Sequence, residues 1–219
     1  MRQELLELIH RMTVQQKLGS DDSISWHAHR EAELLADMTL VDELDAFLGQ
    51  APNKDQRSAA YFIIGKIGKN CLSAACASRL IEYSSKESDK YALANLLDRL
   101  ADIPKPENVD LRPLFTLVED QRWLVRHAAI RSLKQCTNAE AEDKLLEILA
   151  TTSDPYDAIY CHATLYQIGT RKALPALTQN LTSRKRDVKI SARAAIEAIE
   201  ARDSQIAVNT GDGTSPAQS

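Results

Sequence analysis

The 219 residues predict an all-α fold, a solenoid of about six helical hairpins, and three observations carry that prediction. One apolar slot recurs at Ile64, Leu97, Leu133, Leu165 and Ile196, at separations of 33, 36, 32 and 31 residues. A period of that size marks a stacked array of supersecondary units. Each slot sits in a helix-period segment that a second amphipathic segment precedes, so the unit is helix, short turn, helix. Composition agrees: aromatics are 5% and there are only seven Gly and seven Pro, which disfavours a turn-rich β fold and predicts almost no strand.

The second helices align as "QRSAAYFIIGKIG" from Gln56, "DKYALANLLDRLA" from Asp89, "VRHAAIRSLKQCT" from Val125, "DAIYCHATLYQIG" from Asp157 and "VKISARAAIEAIE" from Val188. Their first helices are "LVDELDAFLG", "CLSAACASRLIEYSS", "VDLRPLFTLVED", "AEDKLLEILATT" and "KALPALTQNLTS". In the third block a face that must be buried is built from Ala128, Ala129 and Ser132. Small residues there let neighbouring helices approach closely, so each hairpin's core is completed by the next. The segments at about Arg2 to Leu18 and Ser25 to Met38 form a degenerate first unit, an N-terminal cap of about residues 1–38 with Leu35 in the slot. The array is expected to span 1–202, followed by a disordered tail over 203–219, rich in Gly, Ser, Thr and Pro and lacking periodicity.

This pattern resembles the HEAT family, and within it the short bacterial variety called PBS-lyase HEAT-like repeats. Asp120, Val125, Arg126, Ala128, Ala129 and Leu133 fit the family's second helix best, and Arg57, Ala59, Ala60, Ile64, Gly65, Ile67 and Gly68 fit next. Lys90 and Lys189 replace the motif's Arg, and Ala158 departs from it. The resemblance implies a right-handed α-α superhelix, armadillo-like in type, with second helices on its concave side. It also implies pairing between turn acids and helix Arg of adjacent units. Two enzyme classes share the fold, phycobilin lyase subunits and alkylpurine DNA glycosylases, and they stand as the alternative to a binding module.

Charge and motifs narrow the function. The net charge is −4 and the sequence pI about 5.8, yet residues 1–50 carry 4 Lys+Arg against 10 Asp+Glu and residues 171–202 carry 8 against 3. One end is therefore acidic and the other basic. A glycosylase needs a cationic track along its whole binding face, so nucleic acid is disfavoured as a partner. Phosphate-loop, GxSxG and HExxH motifs are absent, and so is any CxxC. His27 and His29 lie two residues apart on a helix and point different ways, which argues against a metal site. No cofactor or catalytic residue is expected. Cys71, Cys76, Cys136 and Cys161 read as buried free thiols. Without a signal-peptide apolar run or a membrane span, the expected location is the cytoplasm.

What the pattern offers is a binding face. Stacking residues four apart predicts one exposed stripe through Arg57, Tyr61, Gly65 and their counterparts, and a second through Phe62, Tyr91, Asn95, Arg99, His127, Arg131 and Gln167. From these, Tyr61, Tyr91, Asn95, His127, Arg131, His162, Tyr166 and Arg193 are the expected partner contacts. Arg184, Lys185, Arg186 and Lys189 form a basic patch suited to an acidic partner surface. The expected function is a non-catalytic scaffold, adaptor or inhibitor, an immunity-type protein that occludes a toxin being one version. Trp123, in a turn between helices, reads as the cover of a hairpin end.

Overall fold

A computed structural model describes residues 1–15 and 23–211. The chain clusters into two compact units, Met1–Ala141 and Glu142–Ser219. In the first, α1 (Gln3–Met12) pairs with α2 (Ile24–Ala32), α3 (Thr39–Leu48) with α4 (Lys54–Asn70), α5 (Ala74–Ser84) with α6 (Lys90–Leu100) and α7 (Arg112–Leu117) with α8 (Trp123–Ser132). The second helices α2, α4, α6 and α8 stack in sequence. In the second unit, which α9 (Ala139–Thr151) leads into, α10 (Pro155–Ile168) and α11 (Leu174–Asn180) both pack on α12 (Arg186–Gly211). The fold class is the expected all-α solenoid type. Among the described residues the one β pairing is an isolated bridge between Lys105 and Cys136.

Local chemistry sets the helix starts. Asn53 caps α4 by accepting from the N–H groups of Asp55 and Gln56 at 3.1 and 3.0 Å, and the Gln56 side chain accepts from the Asn53 N–H at 3.2 Å. That reciprocal box satisfies donors the first turn would otherwise orphan. Ser23, Ser73, Asp89 and Asp154 cap α2, α5, α6 and α10 in the simpler one-sided way.

The slot residues Ile64, Leu97, Leu133 and Leu165 are fully buried, as are Ala128, Ala129 and Ser132. Two slots differ. Leu35 lies beyond the end of α2 and is half-buried, because Asn70 takes over the carbonyls of Glu33 and Leu35 at 2.9 and 2.8 Å and supports a chain reversal there. Ile196 is also half-buried, since α12 turns Val188, Ala192, Ala195 and Ile199 to the core instead. The end of the array differs as well: α12 runs through Gly211, past Arg202, and Asp203 is tied to Arg171 at 2.7 Å. No Pro or Gly interrupts the chain between Arg186 and Thr210, so nothing stops the helix at 202. The remaining expected tail, 212–219, lies outside the described residues, as do 16–22 of the N-terminal hairpin.

The repeat is also written in polar contacts. Lys66 to Glu33 at 3.1 Å, Lys69 to Asp102 at 3.4 Å, and Arg131 to Asp98 each join residues 33 apart. Close approach is enforced at Gly65 of α4, where an added Cβ would stand 2.5 Å from the Arg99 Cβ of α6. A Cβ cannot rotate away, so Gly65→Ala must push α4 and α6 apart. We expect a loss of about 1 to 3 kcal/mol in a urea titration, opposed by the roughly 1 kcal/mol that Ala gains over Gly within a helix. An unchanged midpoint would mean the two helices do not pack through Gly65.

Candidate protein-interaction surface

In the first unit several members of the second predicted stripe touch one another and their neighbours. His29 of α2 meets the Phe62 ring of α4 edge-on at 4.9 Å, and Phe62 carries Lys66 at 5.0 Å on one side and Arg99 of α6 at 5.2 Å on another. Asn95, one repeat on from Phe62, lines a cleft of about 240 Å³ with Met12, Ser25, His29, Asp55 and Ser58. His29 is held there by the Ser25 carbonyl, 2.7 Å from Nδ1. Arg131 extends the face by its ion pair with Asp98, and both are half-buried.

The first predicted stripe is not exposed along most of its length. Tyr61 is 3% exposed and donates its hydroxyl to Glu87 at 3.1 Å, while Ala94, Ile130 and His162 in the same position of later repeats are also buried. These positions face neighbouring helices. The period that locates them is blind to which side the next repeat covers. His127 is likewise buried, with Trp123 5.7 Å from its ring. Tyr61, His127 and His162 are therefore packing residues. Tyr91, Tyr166 and Arg193 are exposed, as are Arg184, Lys185, Arg186 and Lys189.

Arg57 and Glu87 realise the expected pairing between units. The Arg57 Nε and Nη2 donate to the two Glu87 carboxylate oxygens at 2.7 and 2.9 Å, and Nη1 donates to the Pro52 carbonyl at 2.9 Å. Burial pushes the Glu87 carboxyl up, but Arg57, the Asp89 N–H and the Tyr61 hydroxyl more than offset it, leaving it below the ordinary carboxylate value. Within its own hairpin, Arg126 Nη1 donates to the Asp120 backbone carbonyl at 2.9 Å, and Arg122 takes the Asp120 carboxylate.

Tyr91, an expected contact, is joined at the first turns of second helices by aromatics that the stripes did not include. Trp123 on α8 is 63% exposed and Tyr91 on neighbouring α6 is 62% exposed, with Lys90 4.9 Å over the Tyr91 ring. Trp26 on α2, and Tyr156 on α10 in the second unit, occupy similar places. Trp123 thus projects into solvent instead of covering a hairpin end. The signal was available: Tyr91, Trp123 and Tyr156 lie 32 and 33 residues apart, one aromatic per repeat.

Against known proteins, the family model for HEAT repeats matches over residues 77–161. Residues 77–161 are thus similar to HEAT repeats. No curated protein matches. Among solved structures, a designed armadillo repeat protein is 17% identical, with 89% of this chain and 99% of that chain covered and a TM-score of 0.50. A second designed armadillo repeat protein, in complex with the peptide (KR)4, is 18% identical over 90% and 99% at 0.50. An engineered protein is 16% identical over 91% and 98% at 0.52. These likenesses show a helical-repeat fold.

Burial dominates the titration of Cys136, Cys161 and His162. Burial pushes the Cys136 thiol up to about 11 and the Cys161 thiol higher still. His162 sits with Nδ1 2.9 Å from the Ser191 hydroxyl, which is also 2.8 Å from the Asp187 carbonyl. If the single hydroxyl proton goes to that carbonyl, His162 donates from Nδ1. Burial lowers its pKa to about 4, so it is neutral across the physiological range. No helix among the described residues is long and apolar enough to cross a membrane.

Proposed function

We propose that this chain is a non-catalytic protein-binding module, a scaffold, adaptor or inhibitor, that engages its partner along the second-helix face of its first unit. The observation that carries this reading is the pair Tyr91 and Trp123, large aromatics left in solvent on adjacent stacked helices. Tyr and Trp contribute much contact area at little entropic cost, and they dominate measured interface hot spots. Arg131 and Asn95 supply polar contacts on the same helix row. One similar designed repeat protein is in complex with a peptide, which fits a solenoid used in this way.

The non-catalytic reading is supported by the state of the reactive groups. A general base works best with a pKa near the operating pH, and His162 lies far below it. Cys136 and Cys161 are protonated thiols without the activation a nucleophile needs. Free cysteines suit a reducing compartment, which supports a cytoplasmic location.

The test is affinity capture with the intact chain as bait, beside a Tyr91→Ala/Trp123→Ala double variant. We expect one stoichiometric partner, retained by the native chain and weakened about 30-fold or more by the double change. Equal recovery by both baits, or turnover of a small molecule with no protein partner, would overturn the reading.

A further inference from the structure

We propose a second docking site on the unit formed by 142–219: the outward face of α12, which takes an acidic amphipathic helix of a partner protein. Arg184, Arg186, Lys189 and Arg193 surround an open cleft of about 510 Å³ whose floor is Ile190 and Ala194. Arg186, Lys189, Ile190, Arg193 and Ala194 follow helical spacing, so they share one side of α12. Ile190 is 54% exposed at the centre of this ring of cations.

Two observations select the occupant. The first is charge. Elsewhere in the chain cations are routinely neutralised: Arg2, Arg57, Lys66, Arg122, Arg131 and Lys172 all have carboxylate partners. Among the described residues, none of Arg184, Arg186, Lys189 and Arg193 has one. Four cations between 184 and 193, with no ion-pair partner among the described residues, create a field that attracts carboxylates and holds them in register.

The second observation is position within the repeat. Arg193 occupies the place of Tyr61, Ala94, Ile130 and His162, which are all buried by packing. In α10 this stripe is covered by α12 itself, with His162 against Ser191. The face on α12 thus has the ridge geometry that receives a helix elsewhere in the array, but it carries cations where the others carry apolar or neutral groups. A helix with carboxylates around one apolar residue matches both features. Glu197, at the far end of the cleft, gives the site a direction, since a carboxylate of the partner is repelled there. Exposed Ile190 provides an apolar contact for which a phosphate backbone has no use.

The experiment uses the full chain and a labelled, stapled helical peptide with Glu at i, i+3 and i+7 and Leu at i+4, mirroring Arg186, Lys189, Arg193 and Ile190. Fluorescence anisotropy should show saturable binding that weakens about tenfold or more when the peptide's Glu are replaced by Gln, and similarly in Arg186→Glu/Arg193→Glu. Ile190→Ser should weaken it several-fold while leaving its salt dependence in place. All three side chains are exposed, so far-UV circular dichroism of the variants should match that of the native chain. Absence of saturable binding, equal affinity for the Glu and Gln peptides, or tighter binding of a duplex DNA of similar length would each overturn the proposal. None of these outcomes involves Tyr91 or Trp123, so the aromatic face is tested separately.

Discussion

Arg57→Ala should lower stability by about 3 to 5 kcal/mol at neutral pH, a cost typical of removing one member of a buried ion pair. Only 1% of the Glu87 side chain is exposed, and Arg57 supplies two of its hydrogen bonds at 2.7 and 2.9 Å. Deleting Arg57 leaves the carboxylate buried with the Asp89 N–H at 2.9 Å and the Tyr61 hydroxyl at 3.1 Å, too little to replace its hydration. The pH dependence provides a signature. In the native chain Glu87 has a depressed pKa, so its stabilising contribution is present above the unfolded carboxylate pKa and is lost as pH falls through the folded one. In Arg57→Ala only the Asp89 N–H and the Tyr61 hydroxyl still oppose burial, so that pKa rises and protonation relieves part of the penalty. The difference between the two proteins in urea midpoint should therefore shrink on acidification below about pH 5. A difference that stays constant with pH would show that Arg57 acts through packing alone.

The contrast between Arg57 and Tyr61 shows what sequence reasoning can reach in this fold. Periodicity locates both, because a 33-residue spacing and a 3.6-residue helix place every stripe in phase. It does not say which stripe faces solvent. That depends on which side of each second helix the following one covers, and Gly65 settles it for α4 by letting Arg99 of α6 come within Cβ contact distance. The small residues Ala128, Ala129 and Ser132 announced close packing from sequence, since a solvent face has no need of them. Tyr91 was legible as an exposed contact, whereas Trp123 was harder to weigh, because an exposed aromatic and a hairpin cover have the same local pattern. The basic face of α12 was visible as composition, but its lack of carboxylate partners required the positions of every neighbouring acid.

Lys105 left no trace in the pattern, and it supports the other large effect. It lies in the loop between α6 and α7, fully buried, with Nζ donating to the Leu100 and Ile103 carbonyls at 2.6 and 2.7 Å. Its backbone N–H donates to Gln135 at 2.8 Å and its carbonyl accepts from Thr137 at 3.0 Å, stitching this loop to the segment after α8. A cation at a helix C-terminus satisfies carbonyls that have no partner within the helix. Burial nonetheless lowers its pKa to about 8 from 10.5. Lys105→Ala should cost about 3 to 5 kcal/mol, through a cavity and two orphaned carbonyls. Lys105→Met, which keeps the volume and buries no charge, should cost less. The decisive test is alkaline. A depressed lysine pKa means the unfolded chain binds more protons between about pH 8 and 10.5, so native stability gains from this group as pH rises through that window and loses it as pH falls through 8. The neutral amine still has two N–H bonds, enough for both carbonyls. Neither variant can gain in this way, so the penalty of Lys105→Met, measured by urea titration, should grow by up to about 3 kcal/mol between pH 7.5 and 10.5. A penalty that is flat across that range would mean Lys105 is solvated in the native state and that its carbonyl contacts do not hold the loop.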